Sequence, residues 1–128
     1  MVIDTSALVA VFLEEPERQR FLDAIFEAES RRISAANVLE TGIVLEAKRG
    51  EAAGRELDLF LHRTAVEVVP VDAEQVEVAR LAWRKYGKGR HPAALNFGDC
   101  FAYALAKTLG EPLLAKGNDF AQTDLRIC

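Results

Sequence analysis

Short apolar runs alternate along this chain with longer segments whose apolar positions recur at helical spacing. That alternation constrains the fold more than any other feature. Val2 and Ile3 form an apolar pair that ends at Asp4 and reads as a buried strand. Thr5 or Ser6 is placed to cap a helix running through Leu13, because a hydroxyl there accepts from free backbone N–H groups. Pro16 suits the first turn of a second helix to about Ala28, with Phe21, Leu22, Ile25 and Phe26 inward. Residues 31–34 read as a second strand, residues 35–48 as a helix stopped by Gly50, and residues 52–63 as another with Leu57, Phe60 and Leu61 inward. Residues 66–69 hold three β-branched valines, end at Pro70 and form the clearest strand. Asp72 starts a helix to about Lys85, with Val76, Ala79, Leu81 and Trp83 supplying apolar contacts. A loop over residues 86–95 leads to a helix over 97–109, ended by Gly110. Residues 113–115 and 125–127 close the chain as short strands. Strand and helix in alternation predict an α/β fold with a parallel sheet covered on both faces. In such sheets ligands sit beyond the carboxyl ends of the strands.

The 128 residues suffice for one domain, and 50% hydrophobic with 28% charged residues is an ordinary globular balance. The formal net charge of −4 argues against holding nucleic acid by bulk positive charge, though not against a local site. Two cysteines, Cys100 and Cys128, make neither a disulfide framework nor a zinc motif, which suggests a reducing compartment. No basic stretch precedes the first apolar run, and the run over residues 7–13 is far too short to span a bilayer. The expectation is a cytoplasmic protein with no membrane contact.

Four carboxylates fall at the ends of elements. Asp4 closes the first strand. It could serve as a helix N-cap, although Thr5 and Ser6 are available for that task. Glu40 has Ala36, Ile43 and Val44 as helical neighbours, beside the apolar stripe. Burial there without a partner is costly, so either it snorkels to the rim or a cation meets it. Asp99, three residues after Asn96, fits a capping box, yet its turn also lies near a strand end. Asp119 follows the strand at residues 113–115 and could be a plain turn residue. Each structural alternative is sound alone. Together the four occupy positions that a parallel fold brings to one end of its sheet. Crowded carboxylates repel, and a hard divalent cation with oxygen ligands offsets that repulsion. Hydrolysis of a phosphodiester is the chemistry such a cluster serves.

Val2-Ile3-Asp4-Thr5-Ser6, Glu40, Asn96-Phe97-Gly98-Asp99 and Lys116-Gly117-Asn118-Asp119-Phe120 resemble the acidic motifs of PIN-domain ribonucleases. The VapC group, the toxins of VapBC toxin–antitoxin pairs, is the nearest in pattern. The resemblance covers the whole chain, and Thr123-Asp124 also fits it. It implies a single-domain α/β/α sandwich and an endoribonuclease dependent on Mg²⁺ or Mn²⁺. Asp4, Glu40 and Asp99 would be the main metal-binding acids and Asp119 the fourth. Thr5, Ser6 and Asn96 would support them. A VapB-like antitoxin, an RNA substrate, a homodimer and a larger complex with antitoxin are the implied partners.

The stretch from Trp83 to His91 holds four bases beside two aromatics. It is either a solvated helix end or a contact for the RNA backbone, with Lys88 and Arg90 the candidates. His91 could titrate near neutrality, but nothing assigns it a role as base. His62 and Cys100 read as structural. Apolar surplus on the first four helices suggests dimer or antitoxin contacts. Two other functions fit less well: a PIN-type RNA-processing nuclease without antitoxin, and a phospho-receiver-like binding domain. The receiver would need paired acids after its first strand, where Asp4 stands alone.

Overall fold

Val2 and Ile3 face opposite sides of one sheet, and the helices sort accordingly. The computed structural model describes residues 1–128. Strand β1 (Val2–Ile3) leads into α1 (Thr5–Phe12) and α2 (Arg18–Glu27), then β2 (Arg32–Ser34). Helices α3 (Ala35–Arg49) and α4 (Glu51–Arg63) precede β3 (Glu67–Val69). Helices α5 (Ala73–Tyr86) and α6 (Phe97–Leu109) precede β4 (Leu113–Leu114) and a 3₁₀ turn at Phe120–Gln122. The sheet has the order β3-β2-β1-β4, and every pairing is parallel. The expected α/β/α sandwich is therefore present. The final strand shrinks to a single bridge between Ile127 and Leu113.

Period-2 alternation divides the core in two. Ile3, Ile33 and Leu114 join α1 to α4 in one cluster, around Leu8, Phe21, Ile25 and Leu57. Val2, Leu113 and Ala115 join α5 and α6 in the other, with Tyr86, Leu95 and Leu105. The chain runs from β1 outward to β2 and β3, then returns to place β4 on the opposite flank of β1. The order reverses between β1 and β4, the position where a parallel sheet of this kind offers a crevice at its carboxyl ends.

Three expectations change. Asp4, not Thr5 or Ser6, caps α1: its Oδ2 accepts from the Ser6 N–H at 3.0 Å. The strand ends in extended backbone at Asp4 itself, so the cap falls one residue earlier. Phe26 of α2 is largely exposed, while Phe21 and Ile25 are buried. Helix α5 turns a different face inward. Its buried residues are Gln75, Ala82 and Tyr86, whereas Val76, Leu81 and Trp83 are exposed. Small side chains let α5 sit close on α6, where Ala102 and Ala106 are buried, and the bulkier groups are left on the flank.

Candidate active site

Three helix beginnings meet at the crevice. The first turn of α1 follows β1 directly and carries Asp4 as its cap. Ser34 caps α3 after β2, which sets Asn37 and Glu40 one and two turns in. Asn96 caps α6 with a full capping box: its side chain accepts from the Asp99 N–H at 2.9 Å, and Asp99 Oδ2 accepts from the Asn96 N–H at 3.0 Å. The other Asp99 oxygen makes no hydrogen bond.

Asp4 is 2% exposed. Its Oδ2 serves the cap, but its Oδ1 is buried with no donor at all. Such an orphan is rare in a folded protein and marks a site or a strained group. Burial raises the Asp4 pKa from 3.8 to about 7, against the opposing Ser6 hydroxyl and N–H; the charges of Asp99 and Glu40 push it further up. Asp99 is also raised, by burial first and then by Glu40 and Asp119, while the Asn96 N–H opposes. Asp99 and Glu40 thus bear on Asp4, and Glu40 and Asp119 bear on Asp99.

Glu40 is half-buried, neither at the rim nor in the core. Asn37, fully buried, holds it: the Asn37 Nδ2 lies 3.3 Å from Glu40 Oε1, 3.1 Å from the Gly98 carbonyl and 3.2 Å from Thr5 Oγ1. The Thr5 hydroxyl in turn donates to the Asn37 carbonyl at 3.3 Å. The Glu40 carboxylate lies where Gly98 has no side chain. A Cβ on Gly98 would collide with both its oxygens and stand 2.6 Å from its carboxyl carbon. Helix α6 therefore admits Glu40 at its first turn only because residue 98 is glycine.

The Thr5 hydroxyl makes no hydrogen bond to a carboxylate. Thr5 reaches Glu40 at one remove, through Asn37. The Ser6 hydroxyl accepts from the Lys116 N–H at 2.9 Å, tying α1 to the loop that carries Asp119. Asp119 is exposed at the start of the 3₁₀ turn. Asp124 lies apart from the four acids. Tyr103 donates to it and Lys107 pairs with it, both at 2.6 Å, which anchors the tail. Burial tends to raise its pKa, but those two partners hold it below the ordinary value.

The four acids do not converge on one point. No three carboxylate, histidine or cysteine side chains enclose a space for an ion. Asp4 and Asp99 are turned to backbone amides, Glu40 to Asn37, and like charges draw nothing together. The donor chemistry nevertheless suits a hard cation. The donors are all oxygens, one orphan oxygen is buried on Asp4, and a glycine-made cradle takes Glu40.

The sequence matches the PIN domain family over residues 1–125. Ribonuclease VapC30 of Mycobacterium tuberculosis is 58% identical over 125 residues, covering 98% of this chain and 95% of that protein. The chain belongs to the PIN-domain family, in its VapC group. The fold agrees with solved structures. M. tuberculosis VapC20, a sarcin–ricin loop cleaving toxin, superposes with a TM-score of 0.78 at 21% identity over 97% of this chain and 95% of that one. A toxin–antitoxin complex from Klebsiella pneumoniae gives 0.76 at 17% identity over 99% and 95%. Membership sets the phospho-receiver alternative aside.

Asn37 is the residue of this PIN domain that sequence reasoning missed. An asparagine inside a helix reads as a surface position. The available signal was its spacing: three residues before Glu40, it shares that residue's face. His91 is occupied structurally, its Nδ1 accepting from the Ala93 N–H at 3.0 Å and its ring edge-on to Tyr86. Cys100 is buried, and burial followed by the Asp99 charge raises its thiol pKa, which leaves it unreactive.

Proposed function

We propose that this VapC-group protein is the ribonuclease toxin of a toxin–antitoxin pair, cleaving RNA internally with a divalent cation held by Asp4, Glu40, Asp99 and Asp119. The observation that carries the reading is the buried, unpartnered Oδ1 of Asp4, whose neighbours by charge are Glu40 and Asp99. Mg²⁺ or Mn²⁺ fits the all-oxygen donor set and, when bound, supplies Lewis acidity that activates water and offsets charge on the leaving oxygen.

The chain's own residues provide the frame. Asp4 and Asp99 each spend one oxygen on a helix start and keep the other for the cation. Asn37 and the gap at Gly98 set where the Glu40 carboxylate stands. Asn96 fixes Asp99 through the reciprocal cap, and Ser6 fastens the Asp119 loop to α1. The site is open on the Asp119 side, so a polymer chain can enter without first threading through the protein.

Partners follow from the same reading. The Klebsiella complex pairs a similarly folded chain with an antitoxin. A VapB-like antitoxin is the matching proposal here, with a homodimer and a larger complex beyond it. Leu39 and Ile43 of α3 and Leu59 of α4 are exposed and supply apolar surface for such contacts. The setting proposed is the cytoplasm; no helix is long and apolar enough to cross a membrane.

The direct test is cleavage of total RNA with Mg²⁺ or Mn²⁺, with and without EDTA. Asp99→Asn keeps the capping geometry and removes the charge. Cleavage should stop with EDTA and fall on the order of a hundredfold or more in the folded variant. Equal cleavage by the variant rejects the site. Lys88 is exposed on the loop after α5, free to meet phosphate. Lys88→Ala should weaken RNA binding for all sequences and reduce its salt slope by about one. An unchanged slope removes Lys88 from the interface.

A further inference from the structure

Beside the acids, on the outer face of the α5–α6 pair, lies a cleft of about 540 Å³. Trp83, Phe97 and Phe101 form its apolar part, and Arg80, Arg84 and Arg90 its polar part. No carboxylate lines it, although the chain as a whole carries an excess of acids. None of the three arginines is engaged in an ion pair. Phe97 is 81% exposed, the most of any large apolar side chain. Its ring meets Phe101 edge-on at 4.9 Å. Trp83 is held against the backbone at Gly87, where a Cβ would lie 2.6 Å from the indole Cδ1. The Arg90 guanidinium stacks over the indole, 4.2 Å from its centre.

We propose that this cleft is a nucleotide subsite, in which an unpaired base of the RNA stacks on Phe97 and the Trp83–Arg90 pair while Arg80 and Arg84 take its flanking phosphates. Two observations select this occupant. The cleft combines flat π faces with unpaired cations and excludes acids, and single-stranded nucleic acid alternates flat bases with negative charge in the same way. Its position also fits, because Phe97 and Cys100, which line the cleft, flank Asp99 at the start of α6. A strand with one phosphate at the acids passes that turn and sets a neighbouring base in the cleft. A duplex offers no free base face, so the subsite selects loops and single strands. The inference rests on the ribonuclease reading above.

Trp83 is the chain's one tryptophan and reports the cleft directly. In EDTA, which halts cleavage, a decamer of adenylate should quench its fluorescence to saturation. A ten-unit abasic ribose-phosphate chain should bind on the order of tenfold more weakly and leave the fluorescence unchanged. Phe97→Ala should lose about tenfold in decamer affinity, and Phe97→Tyr should restore it. Because Phe97 is exposed, truncation leaves the fold intact, which circular dichroism checks. Equal binding of decamer and abasic chain overturns the subsite. So does unchanged affinity in Phe97→Ala, or a fall from dimer to monomer on sedimentation with RNA affinity unchanged, which would make the cleft a contact between copies. If wild-type protein still cleaves RNA with Mn²⁺, these results remove the cleft alone. Protein that neither binds nor cleaves RNA overturns both readings.

Discussion

Asp4→Asn should abolish metal-dependent RNA cleavage and, in the same protein, raise stability at alkaline pH. The two effects come from different oxygens. Asparagine caps a helix as well as aspartate does, so the bond to the Ser6 N–H survives. What is lost is a buried charge beside Glu40 and Asp99. The pH dependence has a definite sign. In the unfolded chain Asp4 ionises near 3.8, and in the folded one near 7. Between those values the folded protein binds the extra proton, so wild-type stability falls as pH rises through the window. The full difference corresponds to at most about 4 kcal/mol, reached above pH 7. Asp4→Asn does not incur that loss. Melts in EDTA at pH 4, 6 and 8 should show no advantage for the variant at pH 4 and a clear one at pH 8. Mg²⁺ should then raise the melting temperature of the wild type and leave the variant unmoved, as a ligand that binds only the folded wild type requires. A variant that melts below wild type at pH 8 in EDTA contradicts the picture of a buried, uncompensated carboxylate.

Gly98→Ala should disable the enzyme without unfolding it. The added methyl would occupy the space of the Glu40 carboxylate. The colliding atoms are the far end of a flexible side chain, so Glu40 swings away at little cost, and alanine favours the helix more than glycine. The melting temperature should stay within a few degrees. Activity should fall on the order of a hundredfold, since a displacement of about 1 Å at a reacting centre costs that much. Gly54 offers a matched control. Its added Cβ would stand 2.7 Å from Glu46 Oε2, the same kind of collision on α4, away from the acids. Gly54→Ala should therefore cleave RNA like wild type. If Gly98→Ala is as active as Gly54→Ala, the position of Glu40 does not matter to the chemistry.

The order of strands and helices could be read from the sequence because each boundary has a local cause: Asp72 and Asn96 begin helices, Gly50 and Gly110 end them, and Pro70 closes β3. The inward face of α5 could not be read in this way. Its largest apolar groups mark the flank, while Ala82 and Tyr86 mark the contact, and close packing of small residues carries little hydrophobic signal. The four acids could be picked out as candidates because a parallel fold can bring their positions to one end of its sheet. Their support could not be. Asn37, Gly98 and the Ser6–Lys116 bond join residues from distant parts of the chain, and only the folded backbone brings them together. The sequence also suggested four acids together at one end of the sheet, whereas no three of them enclose a space for an ion, and Asp4, Glu40 and Asp99 are each turned to a different hydrogen-bond partner.

Asp4 and Asp99 each begin the helix on which they stand. The acids are therefore in place only while the first turns of α1 and α6 are wound. Local opening at either turn, well short of global unfolding, would dissolve the site and leave most of the core standing. Amide hydrogen exchange at Ser6 and Asp99 would then measure the fraction of molecules competent to act, and heat would silence the protein before it melts.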